Sequence, residues 1–275
     1  MSIVAMSETL GSLGNEIGRE LGHALSYEFA DREIIAKAAE RFGESVLELA
    51  HVTEEKPTLW ERVADTKRHY LVSVEAILLE MAARDNVVLS GRGSTILLAK
   101  IPHALRVRVI APPAARARRV EQSQGLTHEA AIDLVEETDR ERAARIRFLY
   151  HVDWDAPLAY DLVINTERVS VSRAVSLIQE MLREPRFVPT PESLRAVVDL
   201  SLTARARAAL LLHPLTRGLR VDVACHDGQL GLTGVVDEED QRRTAEEIVT
   251  AIPGVSGVEN EISVLRMAGR LPAGM

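Results

Sequence analysis

The segment Gly11-Ser12-Leu13-Gly14 constrains the fold of this chain more than any other. It follows a short apolar run, Ile3 to Ala5, and precedes Ile17, Leu21 and Leu25, which recur with the spacing of one helix face. A strand, a glycine loop and a helix in this order direct backbone N–H groups and the positive end of the helix dipole towards one point. The pattern therefore predicts a phosphate-binding loop at the start of an α/β domain.

This loop departs from the Walker pattern, in which a lysine and then a serine or threonine follow the last glycine. Matching Gly11-Ser12 to the glycine-serine pair of that pattern puts Leu13 in the place of the last glycine. Gly14 then stands in the lysine's place and Asn15 in that of the hydroxyl residue. The only lysines of the chain, Lys37, Lys56, Lys67 and Lys100, are all distant from the loop in sequence.

Strand-like and helix-like segments alternate through the first 183 residues. Further strands are predicted at 27–30, 86–90, 105–111 and 162–165, and helices from 31 onwards and at 58–84, 94–100, 114–124, 127–150 and 170–182. Asp31 is expected to cap the helix that it begins, because its carboxylate can accept hydrogen bonds from first-turn N–H groups. Alternation of this kind implies parallel strands joined by helical crossovers, so we predict a three-layer parallel α/β sandwich.

Three prolines between Glu184 and Pro191 interrupt the alternation, and we place a linker at residues 184–191. The elements predicted beyond it are a helix at 192–212, strands at 219–225 and 229–235, a helix at 238–251 and a strand at 258–265. Asp227-Gly228 lies between the first two strands, and Asp-Gly in this position indicates a hairpin. We therefore predict a small α+β domain of αββαβ order at 192–266, followed by a tail at 267–275.

Composition narrows the possible classes of function. The formal net charge is -8, which argues against a protein that binds nucleic acid by neutralising phosphates. No apolar run approaches the ~20 residues of a membrane span, and the N-terminus lacks an export signal, so a cytoplasmic location is expected. Cys225 is the single cysteine, which excludes an internal disulfide and a cysteine-based metal site and predicts a buried thiol. The histidines share no ligand spacing, and no metal site is predicted.

Four segments of the first domain carry a resemblance to a known family. They are Gly11-Ser12-Leu13-Gly14-Asn15-Glu16-Ile17, Asp31-Arg32-Glu33-Ile34-Ile35, Gly91-Arg92-Gly93 and Tyr160-Asp161-Leu162-Val163-Ile164-Asn165-Thr166. With them, residues 1–183 resemble the cytidylate-kinase-like family. The resemblance implies a P-loop kinase-like fold with a helical lid, and transfer of a phosphoryl group from ATP, with Mg²⁺, to a nucleoside monophosphate. Glu8 and Asn15 stand where that family has arginines.

The same resemblance assigns site residues. Gly11, Ser12, Gly14 and Asn15 would bind the donor nucleotide, and Asp31, Arg32 and Arg92 would bind the acceptor. Catalytic cations would be Arg92 together with the lid arginines Arg116, Arg119, Arg142 and Arg145, with Arg118 beside them. Guanidinium groups suit this chemistry because they bind phosphate oxygens in pairs and stabilise a transferring phosphoryl group. An alternative is that the helix arginines pair with Glu121, Glu136, Glu137 and Asp139 on a solvated face.

The second domain resembles BON modules through Val221-Asp222-Val223, Leu232-Thr233-Gly234-Val235-Val236 and the segment from Ile252 to Asn260. No cluster of nucleophiles or bases is evident there, so we expect a module that contacts a protein partner, a second copy of the chain or a small ligand. Two hypotheses of function follow: a cytidylate-type phosphotransferase, or a nucleotide-binding regulator without appreciable turnover. A purely structural adaptor is a third.

Overall fold

The structure is a computed structural model that describes residues 2–43 and 68–265. Its contacts divide the chain into two compact units, residues 1–197 and residues 198–275. Among the described residues, no helix combines the length and the apolar character that a membrane crossing requires.

The first unit contains a five-stranded sheet in the order β2-β3-β1-β4-β5, and every neighbouring pair of strands is parallel. The predicted parallel α/β sandwich is therefore confirmed. Its strands are β1 (Ile3–Glu8), β2 (Glu28–Ala30), β3 (Val87–Ser90), β4 (Ala104–Ile110) and β5 (Leu162–Asn165). Its helices are α1 (Gly14–Leu25), α2 (Arg32–Phe42), α3 (Arg68–Ala83), α4 (Ser94–Leu97), α5 (Pro113–Gln124), α6 (His128–Tyr150) and α7 (Val171–Met181).

Strand β1 lies at the centre of this sheet, and its apolar side chains anchor the main core. Val4 and Met6 of β1 pack with Ile17 and Leu21 of α1, two of the three residues that the helical spacing identified. Phe187, in a 3₁₀ turn within the predicted linker, is 2% exposed and belongs to the same core. The position of the linker itself stays a prediction.

Two helices differ in length from their sequence patterns. The helix predicted at 94–100 ends at Leu97, because the chain turns at Leu98 and enters β4 a few residues later. The helix predicted at 58–84 is described from Arg68 onwards, and residues 58–67 lie outside the described residues.

The second unit contains a three-stranded sheet in the order β6-β7-β8, with β6 and β7 antiparallel and β7 and β8 parallel. Its strands are β6 (Arg220–His226), β7 (Gln229–Val236) and β8 (Gly257–Val264), and its helices are α9 (Glu239–Thr250) and most of α8 (Pro191–Leu212). The predicted α+β architecture is confirmed. Leu202, Ala206, Leu230 and Leu232 belong to its separate apolar core.

The hairpin between β6 and β7 turns at the predicted Asp-Gly pair. Asp227 and Gly228 both have positive φ angles, 49° and 78°, as a two-residue hairpin turn requires. The Asp199 carboxylate accepts hydrogen bonds from both of their backbone N–H groups at 2.8 Å. It also accepts from Cys225 Sγ at 3.3 Å. Cys225 is half-buried, whereas a buried thiol was expected. Burial and the neighbouring Asp199 raise the pKa of its thiol to about 12.

Candidate functional site

A cleft of about 640 Å³ opens at the carboxyl ends of β1 and β3, where open α/β sheets bind their ligands. The glycine loop between β1 and α1 borders the cleft, as do the starts of α2 and α4. Its charged lining residues are Glu8, Glu16, Asp31, Arg32, Arg92, Arg119 and Arg142.

The glycine loop folds through two residues in the left-handed region. Gly11 has φ +76°, and a Cβ there would press against the Arg116 carbonyl, so the position requires glycine. Leu13 has φ +66° immediately before α1, where a side chain costs about 1 kcal/mol or more in backbone strain. The N-cap residue of α1 makes no side-chain hydrogen bond, so no capping side chain satisfies the first-turn N–H groups of this helix.

The Glu8 carboxyl group occupies the space above Gly14. A Cβ at position 14 would overlap the Glu8 side chain, so the lysine position of a Walker loop is filled by a carboxylate from β1. Asn15 Nδ2 donates hydrogen bonds to Glu8 Oε1 at 3.4 Å and to Asp31 Oδ2 at 3.0 Å. Burial raises the pKa of Glu8 to about 6; Arg142 lowers it, and Asp31 raises it further. The loop end of the cleft is therefore acidic.

Three arginines of α5 and α6 hold the loop through its backbone carbonyls. Arg116 Nη1 donates to the carbonyl of Leu10 at 3.3 Å, and Arg119 Nη1 to that of Gly11 at 3.0 Å. Arg142 Nη1 donates to the carbonyl of Glu8 at 3.1 Å. These guanidinium groups thus help to fix the loop conformation.

Arg92 and Asp31 also line the cleft, and they lie close to each other. Arg92 follows β3 with φ +54°, and its Nη2 lies 3.7 Å from Asp31 Oδ1. Asp31 stands at the N-cap of α2 but makes no side-chain capping bond, so the predicted cap is wrong. Its carboxylate is turned towards Asn15 and Arg92, and the Glu33 carboxylate accepts from the Asp31 N–H at 3.0 Å instead.

The structure brings most of the predicted site residues to this cleft. Those that line it are Gly11, Asn15, Asp31, Arg32, Arg92, Arg119 and Arg142. Ser12 and Gly14 are buried within the loop. Arg116 and Arg145, at 3% and 2% exposure, lie outside the described lining of the cleft. Arg118, beside Arg116 on α5, is exposed.

For Arg116 the geometry matches the ion-pair alternative. Its two terminal nitrogens donate to the Asp139 carboxylate at 3.2 and 2.6 Å, and its Nε donates to the Ala111 carbonyl at 2.8 Å. This pair is buried on the arginine side rather than solvated. A catalytic role for Arg116 and Arg145 stays a prediction from the resemblance.

An aromatic and cationic stack beside β1 was not predicted from the sequence. The Arg108 guanidinium lies 3.7 Å from the centre of the Trp154 ring, and both side chains donate hydrogen bonds to Ser7 Oγ. Burial lowers the pKa of Arg108, and Asp155 pairs with it at 3.1 Å. Trp154 lines the cleft. The sequence signal for this stack was Arg108 itself. An arginine within a buried strand needs a partner for its charge.

Comparison with known proteins identifies the class of fold. The parallel sheet, the glycine loop and the cleft above them are the architecture of P-loop kinase-like, nucleotide-binding proteins. The chain belongs to the cytidylate kinase-like family, whose model matches residues 3–168, and residues 199–266 match the BON domain.

Curated relatives agree with this assignment at low identity. A cytidylate kinase of Ignicoccus hospitalis is 28% identical over 66% of this chain and 99% of its own length. A cytidylate kinase of Natronomonas pharaonis is 26% identical over 74% of this chain and 91% of its own length. A crystal structure of an uncharacterized protein from Eubacterium ventriosum matches with a TM-score of 0.54 at 16% identity, covering 67% of this chain and 99% of the other, and supports the fold alone.

The loop residues do not fit the Mg²⁺–ATP complex that a P-loop kinase uses. Gly14 supplies no lysine, and the following residue is Asn15, whose amide nitrogen faces two carboxylates instead of a hydroxyl facing a metal. The Glu8 carboxylate adds negative charge where the donor phosphates would lie.

Proposed function

We propose that the first unit binds a nucleoside monophosphate of the cytidylate type in the cleft and acts as a nucleotide-sensing regulator. The observation that carries the proposal is the position of Arg92 and Arg32, which line the same cleft as the glycine loop beyond the carboxyl ends of the strands. Arg92 would bind the phosphate through paired hydrogen bonds, and Asp31 and Arg32 would contact the rest of the nucleotide.

The distribution of charge favours binding of the acceptor over transfer of a phosphoryl group. Transfer depends on cations placed against the donor phosphates, because positioning and electrostatic stabilisation supply nearly all of the catalysis. In this chain the loop end of the cleft carries Glu8 instead, and Arg116, Arg119 and Arg142 donate hydrogen bonds to loop carbonyls.

A second candidate is transfer from ATP, with Mg²⁺, to the bound monophosphate. Arg119 and Arg142 favour it, because they line the cleft and could reach a donor phosphate after a local rearrangement. The named cytidylate kinase relatives support it as well. Under either candidate, the BON module would bind a protein partner or a second copy of the chain in the cytoplasm. This binding would depend on whether the first unit holds a nucleotide.

The test is calorimetric titration of the full chain with CMP, beside an assay of ADP formation from ATP, CMP and Mg²⁺. Arg92→Ala is expected to weaken CMP binding about tenfold or more, since a charge-assisted hydrogen bond contributes ~1.5–3 kcal/mol. Arg92→Lys keeps the positive charge but loses the paired N–H donors of the guanidinium group. Its CMP affinity should lie between those of the wild type and Arg92→Ala. The control is Arg84→Ala, an exposed arginine that pairs with Glu80 and does not line the cleft.

The outcomes separate the candidates. CMP binding without ADP formation supports the regulator. ADP formation that falls with Arg92→Ala supports the phosphotransferase. A wild-type chain that binds neither CMP nor another nucleoside monophosphate contradicts both candidates and leaves the structural adaptor.

A further inference from the structure

We propose that Glu8 is a specificity-determining residue, whose ionised carboxylate makes the glycine loop reject nucleoside triphosphates while the cleft still accepts monophosphates. The inference rests on the proposed nucleotide binding and adds to it the class of nucleotide that is selected.

The Glu8 side chain occupies the space that any side chain at position 14 would need. Asn15 Nδ2 donates to both Glu8 and Asp31 and so holds the two carboxylates at the loop. A polyphosphate entering the loop would have to displace Glu8 or lie directly against it.

The charges around Glu8 also oppose the entry of a polyphosphate. The charged or polar groups that face Glu8 are Arg142 from α6, Asp31 before α2, and Asn15 and Glu16 from α1. Arg142 is the only cation among these four, and one of its nitrogens already donates to the backbone carbonyl of Glu8. Asp31 and Glu16 add negative charge. A triphosphate brings more charge of the same sign into this environment than a monophosphate does, so repulsion by these carboxylates selects against the triphosphate.

Protonation of Glu8 would remove the barrier. Burial raises the pKa of this carboxyl group to about 6, so it is mostly ionised at pH 7.5 and mostly neutral at pH 5. ATP affinity of the wild-type chain should therefore rise as the pH falls through 6. A neutral Glu8 can also donate a hydrogen bond to a phosphate oxygen.

The experiment titrates the full chain with ATP, with inorganic triphosphate and with CMP at pH 7.5 and pH 5. Glu8→Gln keeps the shape of the side chain and removes its charge. It is expected to raise ATP and triphosphate affinity about tenfold or more at pH 7.5, because a neighbouring charge commonly changes the free energy of a charged group by at least the equivalent of ~1 pKa unit, which is a factor of ten in affinity. The change in CMP affinity should be much smaller than the change in ATP affinity. Glu20→Gln, which changes an exposed carboxylate on α1 outside the cleft lining, is the control.

The phosphates of ATP also titrate near pH 6. The ATP affinity of Glu8→Gln is therefore divided by that of the wild type at each pH, so that the titration of ATP itself cancels. The ratio of Glu8→Gln to wild type should be large at pH 7.5 and approach one at pH 5. Equal ATP affinities at pH 7.5, with CMP binding intact, overturn this inference and leave the proposed function standing. Failure of the wild-type chain to bind CMP overturns the proposed function instead.

A second pair of variants tests the steric argument separately. Gly14→Lys alone should lower the stability of the protein and leave ATP affinity low, because Glu8 fills the space that the lysine needs. Gly14→Lys combined with Glu8→Ala should bind ATP more tightly than Glu8→Ala alone. Equal ATP affinities for these last two variants would overturn the claim that Glu8 occupies the lysine position.

Discussion

The Glu8 side chain carries an ionisable carboxyl group that is largely withdrawn from water and lies close to Asp31. Its pKa is raised from 4.5 to about 6 in the folded protein. A raised acid pKa means that the ionised form is penalised on folding, so Glu8 reduces stability above pH 6, and the penalty disappears as the pH falls below 4.5.

Glu8→Gln should therefore stabilise the protein in a pH-dependent way. The gain in free energy of unfolding is expected to reach at most about 2 kcal/mol at pH 7.5, reduced by the part of the charge that water screens, and to fall below about 0.5 kcal/mol at pH 4.5. Denaturant unfolding of both proteins at the two pH values measures it, with Glu20→Gln as the control. A gain of the same size at both pH values would contradict the raised pKa.

The sequence predicts part of this chemistry and misses the rest. Aligning the loop with the family motif is enough to show that Glu8 and Asn15 stand where the family has arginines. It does not show that Glu8 fills the space above Gly14, nor that Asp31 turns from its capping position to Asn15 and Arg92. Both depend on side chains from separate elements meeting in the folded chain.

At the scale of secondary-structure elements, α5 and α6 support the loop between β1 and α1. Arg116 connects all three regions, since it reaches the Leu10 carbonyl, the Ala111 carbonyl and the Asp139 carboxylate while 3% exposed. Removing one partner of a buried ion pair leaves the other charge without compensation.

Arg116→Ala should destabilise the protein by about 3–5 kcal/mol, a typical cost for breaking a buried pair, reduced to the extent that Asp139 can reach water. Arg118→Ala, two residues further along α5 and exposed, should change stability by less than about 0.5 kcal/mol. Thermal and denaturant unfolding of both variants measure the difference. Similar effects of the two substitutions would contradict a supporting role for Arg116.

The elements themselves were largely predictable from local pattern. Apolar runs and helical spacing predicted the strands and helices of both units, and the Asp-Gly pair predicted the hairpin at Asp227. The early end of α4 was not predicted, because residues 98–100 keep a helix-compatible composition and the turn into β4 is set by the sheet. The contacts of α5 and α6 with the loop were also not predictable, since spacing along one helix says nothing about which carbonyls it meets.

At the scale of the whole molecule, the chain combines a cytidylate kinase-like unit with a BON module, each with a core of its own. Chain length together with the change in element order predicted two domains. We propose the boundary at residues 184–191, because three prolines and a change in element order coincide there. The coupling of the two units in a nucleotide response is part of the same proposal.

We propose that the cleft holds the phosphate of a nucleoside monophosphate at Arg92 and that Glu8 keeps phosphate out of the Gly11–Gly14 loop. A crystal structure of the full chain with CMP at pH 7.5 would show where this phosphate lies. We expect CMP in the cleft, with phosphate oxygens at hydrogen-bond distance, ~2.7–2.9 Å, from the Arg92 guanidinium. CMP bound elsewhere, or a phosphate in the loop in contact with the N–H groups of Leu13 and Gly14, would refute this proposal.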